Sequence, residues 1–174
     1  MVYLVKPKNF MITIIFLWII KSEAIALFSF NKNKCGVTKL FDTKIAIVLL
    51  SSLKTWQKLN VTSFLTSGII GQSSSLIGEK YVDNSNYKYL ALSRQPVVVL
   101  EAELSPLKKI HGRILERALT CSIYINDMFE TGNDEDNRGT VKNYPSEDLP
   151  LVGLALREDK KIVDKVTKGA KLHS

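Results

Sequence analysis

Four short apolar runs, separated by longer segments with helical spacing, constrain the fold of this chain more than any other feature. The first run, residues 45–50, is continuously apolar and rich in β-branched residues, which is typical of a strand that is covered on both faces. Helix-start residues and a terminal glycine bound the segments 56–70 and 159–169, and residues 105–118 repeat apolar side chains at helical spacing. The runs are 45–50 (IAIVLL), 96–101 (PVVVLE), 122–128 (SIYINDM) and 151–156 (LVGLAL).

The order of these segments predicts an α/β protein. Between residues 41 and 174 the predicted order is strand, helix, hairpin, strand, helix, strand, short helix, strand and helix. Such an order favours a single three-layer domain: a mixed four-stranded sheet with helices on both faces, its first two strands joined by a helical crossover. Residues 81–90 are predicted to form a hairpin with half-buried tyrosines. This is favoured over a nucleic-acid surface, which would use Lys80, Tyr81, Tyr87, Lys88, Tyr89 and Arg94.

The positive charge of the chain is concentrated before this domain. Of the net +7, residues 1–40 contribute +5 through six lysines and one glutamate, and residues 41–174 contribute +2. The isoelectric point therefore gives no argument that the domain binds nucleic acid. Two cysteines and two histidines without zinc spacing predict neither a disulfide framework nor a metal site, and no cofactor is expected.

Residues 1–40 form a basic and hydrophobic leader. Two lysines precede the apolar run 10–20, and the A-x-A sequence 24–26 follows, which is the order found in signal peptides. Eleven apolar residues are too few to span a bilayer, which needs about 20, so no stable transmembrane span is expected. Three alternatives stay open: an export signal cleaved after residue 26, an organelle-targeting segment, and an N-terminal extension or misassigned start without a targeting role.

The acidic loop, residues 127–138 (DMFETGNDEDNR), is the strongest candidate for a functional site. It follows the third strand, and loops at sheet edges often carry chemistry. A calcium loop is excluded, because Pro145 stands where an EF-hand needs a bidentate glutamate. We expect Asp134 to cap a short helix whose first turn carries three acids, and Arg138 to pair with Glu130 or Asp134.

Three motifs together resemble the domain-of-unknown-function family 2000 over about residues 41–172. They are W-Q-x-L-N at 56–60, D-M-F-E-T-G-x-D-E-D-N at 127–137, and L-x-G-L-A-L at 151–156. That family resembles in fold the type 2 peptidyl-tRNA hydrolases, which cleave the ester joining a peptide to tRNA. The resemblance implies a cytoplasmic location for a chain without a cleaved leader. In the hydrolase pattern D-x-x-x-T, the matching residues here are Asp127 and Thr131, while the helix-start lysine and histidine positions fall on Gln57 and Phe64.

Two hypotheses of function follow, and whether the protein is an enzyme stays open. In the favoured one, a non-hydrolase relative binds a small molecule or protein partner beside the first helix, with Asp127 and Thr131 near the ligand. In the alternative, Asp127 orients water, Thr131 donates a hydrogen bond, Lys58 or Lys54 replaces the missing lysine, and tRNA is the partner. A homodimer is compatible with both. The ligand-binding candidates are Trp56, Gln57, Asn60, Glu130, Gly132 and Arg138.

Overall fold

The computed structural model of the protein describes residues 41–173. This part of the chain contains five strands and four α-helices, together with short 3₁₀ turns at Ser74–Leu76 and Asn126–Phe129. In chain order the elements are β1 (Thr43–Leu50), α1 (Thr55–Gly71), β2 (Val97–Ala102), α2 (Leu104–Glu116), β3 (Cys121–Ile125), α3 (Asp134–Lys142), β4 (Leu151–Asp159), α4 (Lys160–Val166) and β5 (Lys171–Leu172).

The predictions made for the leader lie outside the described residues. Within residues 41–173, none of the helices combines the length and the apolar character needed to cross a membrane.

The strands form one mixed sheet in the order β3-β4-β1-β2-β5. β1 and β2 are parallel and are connected through α1, as predicted, while β4 runs antiparallel to both β1 and β3. The predicted number of four strands is wrong, because β5 pairs with the outer edge of β2. A two-residue strand has no periodicity that a sequence can show. Its pairing arises because Gly169, at φ +104°, helps turn the chain back after α4.

Helices cover both faces of the sheet. The side chains of β1 alternate strictly: Ile45, Ile47 and Leu49 pack toward α1, and Ala46 and Val48 pack toward α2 and α4. Every one of these five side chains is buried. The apolar run in the first strand therefore supplies two separate cores, one on each face, as expected for a central strand of an α/β sheet.

The start of α3 differs from the prediction by one residue. Asn133, not Asp134, is the N-cap, and its side-chain oxygen accepts a hydrogen bond of 2.9 Å from the Asp136 amide. Asp134, Glu135 and Asp136 occupy the first turn, where the helix dipole stabilises negative charge. Asparagine and aspartate cap helices almost equally well, so residue type does not distinguish Asn133 from Asp134 as the N-cap. The extended backbone of Asn133 decides it.

Candidate functional site

The candidate site lies at the edge of the sheet where three strands end. β1 and β3 both run antiparallel to β4, and β2 is parallel to β1, so the carboxyl ends of β1, β2 and β3 share one edge. The first turn of α1 follows β1 there, and the acidic loop follows β3. Segments that leave the carboxyl ends of parallel strands are where open α/β sheets usually bind ligands.

Helix α1 lies close against the sheet and separates two flanks of this edge. Gly153 of β4 makes the close approach feasible, because a Cβ built there would be 2.7 Å from Val61 Cγ1 and 3.1 Å from Leu65 Cδ1. In register across the sheet, Gly153 lies between Tyr124 of β3 on one side and Leu49 of β1 on the other. One flank of α1 therefore faces β3, and the opposite flank faces β2.

On the β3 flank, α1 and the acidic loop enclose a cleft of about 490 Å³. Four aromatic rings form its wall in a chain of two T-shaped contacts and one tilted contact. The centroid distances are 5.6 Å from Trp56 to Phe129, 5.2 Å from Phe129 to Tyr124, and 5.7 Å from Tyr124 to Phe64. Trp56 is 57% exposed and Phe64 50% exposed, so much of the wall is accessible to a ligand.

Neutral polar groups complete the cleft. The Tyr124 hydroxyl lies 3.2 Å from Asn60 Oδ1 and 3.3 Å from the Met128 carbonyl, and its single proton is donated to one of these two acceptors at a time. Burial raises the pKa of Tyr124 above 10, so this hydroxyl remains a donor at neutral pH. Thr131 donates to the Met128 carbonyl at 3.0 Å and contacts the side-chain oxygen of Asn137.

The cleft carries little charge. Among the described residues that line it, Asp134 is the single acid or base that is charged at neutral pH, and it forms an ion pair with Arg138 on the next turn of α3. Gly132 also lines the cleft, and open space surrounds the position that a Cβ would take there, with nothing within 4 Å. Of the two partners considered for Arg138, the structure selects Asp134.

The structure separates the two residues of the D-x-x-x-T pattern. Thr131 lines the cleft, whereas Asp127 lies outside its lining and accepts a hydrogen bond of 2.8 Å from the Tyr144 hydroxyl, just beyond α3. This hydrogen bond raises the pKa of Tyr144. The carboxylate of Asp127 therefore joins β3 to the segment after α3 and does not point along the aromatic wall.

Within residues 41–173, neither candidate lysine forms an ion pair with Asp127. Lys58 lies on the β2 flank, where its ammonium binds Glu101 at 3.2 Å. In register Glu101 and Tyr124 are three strand spacings apart, about 14 Å, so α1 stands between Lys58 and the acidic loop. Lys54 is the N-cap residue of α1, and its amide donates to Gln57 Oε1 at 3.0 Å. Gln57 is thereby used to cap the helix, and Glu130 is exposed, its amide donating to the Asp127 carbonyl.

Sequence reasoning did not single out several residues of this site. The sequence marks Phe64 only as the residue at the position of the missing histidine. Tyr124 and Phe129 gave a weak signal, as aromatic residues in and just after a strand. Asn137 belongs to the loop motif but had no predicted role, and Tyr144 gave no signal, because Thr131 and Asp127 meet these side chains through the fold of α3.

Within residues 41–173, no three His, Cys, Asp or Glu side chains are placed to hold a metal ion.

Together, the fold and the cleft define a small α/β domain with a mixed, open sheet and an aromatic-walled cleft beside its first helix. Residues 43–174 match the family described as Protein of unknown function (DUF2000), and the chain belongs to that family.

A solved structure of a protein of unknown function from Agrobacterium tumefaciens strain C58 is 52% identical to this chain. The similarity covers 78% of this chain and 100% of that one, with a TM-score of 0.76. No curated protein matches the chain.

Proposed function

We propose that the domain binds a small, uncharged ligand with a planar ring in the cleft between α1 and the acidic loop. The chain of four aromatic rings carries this proposal. The two ends of this chain, Trp56 and Phe64, expose ring surface to a ligand, and contacts with a further ring stabilise a complex by about 0.5–1.5 kcal/mol beyond the area buried. Small-molecule sites commonly combine such apolar walls with few polar groups.

The polar groups of the cleft support a neutral ligand. Asn60, Thr131 and Asn137 offer amide and hydroxyl groups, which recognise carbonyl, amide or hydroxyl functions. A cationic ligand would have to displace Arg138 from Asp134, and an anionic ligand would approach an acidic loop without a lysine in the cleft. Both charged classes are therefore disfavoured relative to a neutral molecule of the same shape.

Ligand binding is tested with the tryptophan that forms one end of the wall. The chain has two tryptophans, so a Trp18→Phe variant of the full-length protein leaves Trp56 as the sole reporter. Adenosine and benzamide serve as neutral planar probes, and AMP and benzoate as charged counterparts. We expect saturable changes in Trp56 fluorescence with the neutral probes and weaker ones with the charged probes.

A matched pair of variants on α1 localises the binding. Phe64→Ala removes part of the wall, and its loss is expected to lower probe affinity by about tenfold. Leu59→Ala removes an exposed side chain of the same helix that does not line the cleft, and affinity should not change. If no neutral probe saturates, or if both variants bind as tightly as the parent, the proposal is wrong.

The second candidate function is ester hydrolysis of the peptidyl-tRNA type, on a domain related in fold to the type 2 hydrolases. The mixed sheet with its β1-α1-β2 crossover supports it, as does the shared edge at which Asp127, Thr131 and Lys54 are located. Against it stands the engagement of Lys58 by Glu101, which removes one of the two candidate cations from the acidic loop.

Release of peptide from peptidyl-tRNA by the full-length protein separates the two functions. Hydrolysis that is abolished by Asp127→Asn and by Lys54→Met would favour the enzyme. Absence of turnover, together with saturable binding of a neutral probe, would favour the binding protein.

A further inference from the structure

A hairpin between α1 and β2 presents an apolar surface that no part of the described chain covers. Seven large hydrophobic side chains between Ile77 and Leu92 are exposed, and Leu90 is the most exposed at 82%. The exposed fractions, applied to residue areas of about 170–260 Å², sum to roughly 900 Å². This area is divided between the two faces of the hairpin, because neighbours such as Tyr81 and Val82 point to opposite faces. The seven residues are Ile77, Tyr81, Val82, Tyr87, Tyr89, Leu90 and Leu92.

The hairpin is held in a defined shape despite its exposure. Asp83 organises the tip: its carboxylate accepts hydrogen bonds from the amides of Ser85 and Tyr87, both at 2.9 Å, and from the Tyr89 hydroxyl at 3.0 Å. The rings of Tyr87 and Tyr89 pack edge to face at 5.0 Å. A surface that is already ordered loses little conformational entropy when it binds a partner.

The hairpin also carries a knob and a hollow. The hollow, about 460 Å³, lies at the base of the hairpin, and its lining combines the side chains of Ile77, Tyr81 and Leu92 with the polar side chains of Glu79, Ser93 and Arg94. Gly78 is part of its lining, and a Cβ there would be 3.2 Å from both Arg94 Cγ and the Leu92 carbonyl, so a side chain would crowd the hollow. The knob is Leu90, which is not part of this lining.

Backbone hydrogen bonding is interrupted at the knob. Gly78 bonds to Leu92 and Tyr89 bonds to Tyr81, but within residues 41–173 the amides of Leu90 and Ala91, between these pairs, donate to no protein acceptor. Unpaired amides beside exposed leucines are a common point of attachment for a second chain.

We propose that this hairpin is the interface of a two-fold symmetric homodimer, in which Leu90 of each copy enters the hollow of the other. A contact in which the knob meets the hollow and the hollow meets the knob is isologous, and two-fold symmetry closes it after two copies. The charges agree with self-association. Residues 77–95 carry three basic and two acidic side chains, so the surface is nearly neutral and lacks the excess of cations that binding to phosphates requires.

Sedimentation equilibrium of the full-length protein tests the proposal. The parent is expected to dimerise, and Leu90→Lys is expected to weaken the dimer by about 100-fold or more, since it replaces two apolar contacts with ammonium groups that would lose their water on association. Leu90→Ala gives a smaller loss through removal of the knob alone. Leu59→Lys is the matched control, because Leu59 is 66% exposed on α1, outside the hairpin, and this variant should dimerise within about threefold of the parent.

Hydrogen exchange locates the interface. In the parent, raising the concentration should protect the peptide that contains Leu90 and Ala91, and Leu90→Lys should abolish this protection. A parent that stays monomeric at about 100 μM overturns the proposal. So does a dimer that survives Leu90→Lys or is lost in Leu59→Lys. Protection of the hairpin by added single-stranded RNA in a monomeric parent would identify a nucleic-acid surface instead.

Discussion

Replacement of Gly153 by alanine tests how α1 is held against the sheet. Gly153 lies in the middle of β4, and α1 packs directly over it through Val61 and Leu65. Both side chains are fully or almost fully buried, so neither has free space to move into. A methyl group at residue 153 must therefore push α1 away from the sheet or force these side chains out of their preferred rotamers.

The magnitude follows from the contacts. A Cβ at position 153 would be 2.7 Å from Val61 Cγ1 and 3.1 Å from Leu65 Cδ1. Overpacking of a filled core costs about 1–3 kcal/mol, and alanine regains about 0.5–1 kcal/mol because glycine weakens a strand. We expect Gly153→Ala to lower the free energy of unfolding by about 1–2 kcal/mol.

Urea denaturation of full-length variants, followed by circular dichroism, measures the effect. Gly112→Ala is the control: it lies inside α2 with nothing within 4 Å of a Cβ, and should raise the free energy of unfolding by about 0.5–1 kcal/mol. The same displacement of α1 should weaken ligand binding in Gly153→Ala but not in Gly112→Ala. If Gly153→Ala is as stable as the parent, α1 does not pack as closely as described.

Three further predictions concern the polar contacts around the site. Glu101→Gln removes the carboxylate that Lys58, Lys171 and His173 share. The Lys58 hydrogen bond lowers the pKa of Glu101 from 4.5, so its stabilisation is present above about pH 4.5 and is lost as pH falls through the lowered pKa. The urea midpoint of the variant should therefore change less across this acid range than that of the parent. Asp127→Asn should bring the pKa of Tyr144 back toward 10, as measured by NMR of ¹³Cζ-labelled tyrosine. Asn133→Ala removes the cap of α3 and should cost about 1 kcal/mol in urea unfolding.

Each of these predictions has a contradicting result. Parallel midpoint profiles for the parent and Glu101→Gln would show that the carboxylate is not coupled to Lys58. An unchanged Tyr144 titration in Asp127→Asn would remove that hydrogen bond. For the cap, Asn143→Ala at the other end of α3 is the control, because within residues 41–173 the side chain of Asn143 makes no hydrogen bond. Equal losses in both variants would argue against Asn133 as the cap.

The crossover and the buried strands β1 and β4 were accessible from sequence because they depend on local composition, whereas β2, also predicted to be buried, is mostly half-buried. The apolar run of β1 is long enough to fill both cores, and no surface strand would tolerate Ile45 through Leu49 in succession. The cap of α4 was equally local, since Asp159 accepts from the amide two residues later.

The candidate site was predicted in part. The position of the acidic loop directly after the third strand follows from the order of the elements along the chain. The roles of Asp127 and Thr131 could not be predicted in this way. Their separation of four residues does not determine which way each side chain points when a 3₁₀ turn lies between them. The turn directs Thr131 into the cleft and Asp127 to Tyr144.

Sequence alone determined that this protein is an α/β domain of an uncharacterised family, with a polar loop after its third strand. Tertiary structure decided the fifth strand, the separation of Lys58 from the acidic loop, and the aromatic cleft. The physical reason is that apolar runs and caps act between neighbours in the chain. The contacts of Glu101 with Lys58, of Phe64 with Tyr124, and of β5 with β2 join residues that only folding brings together.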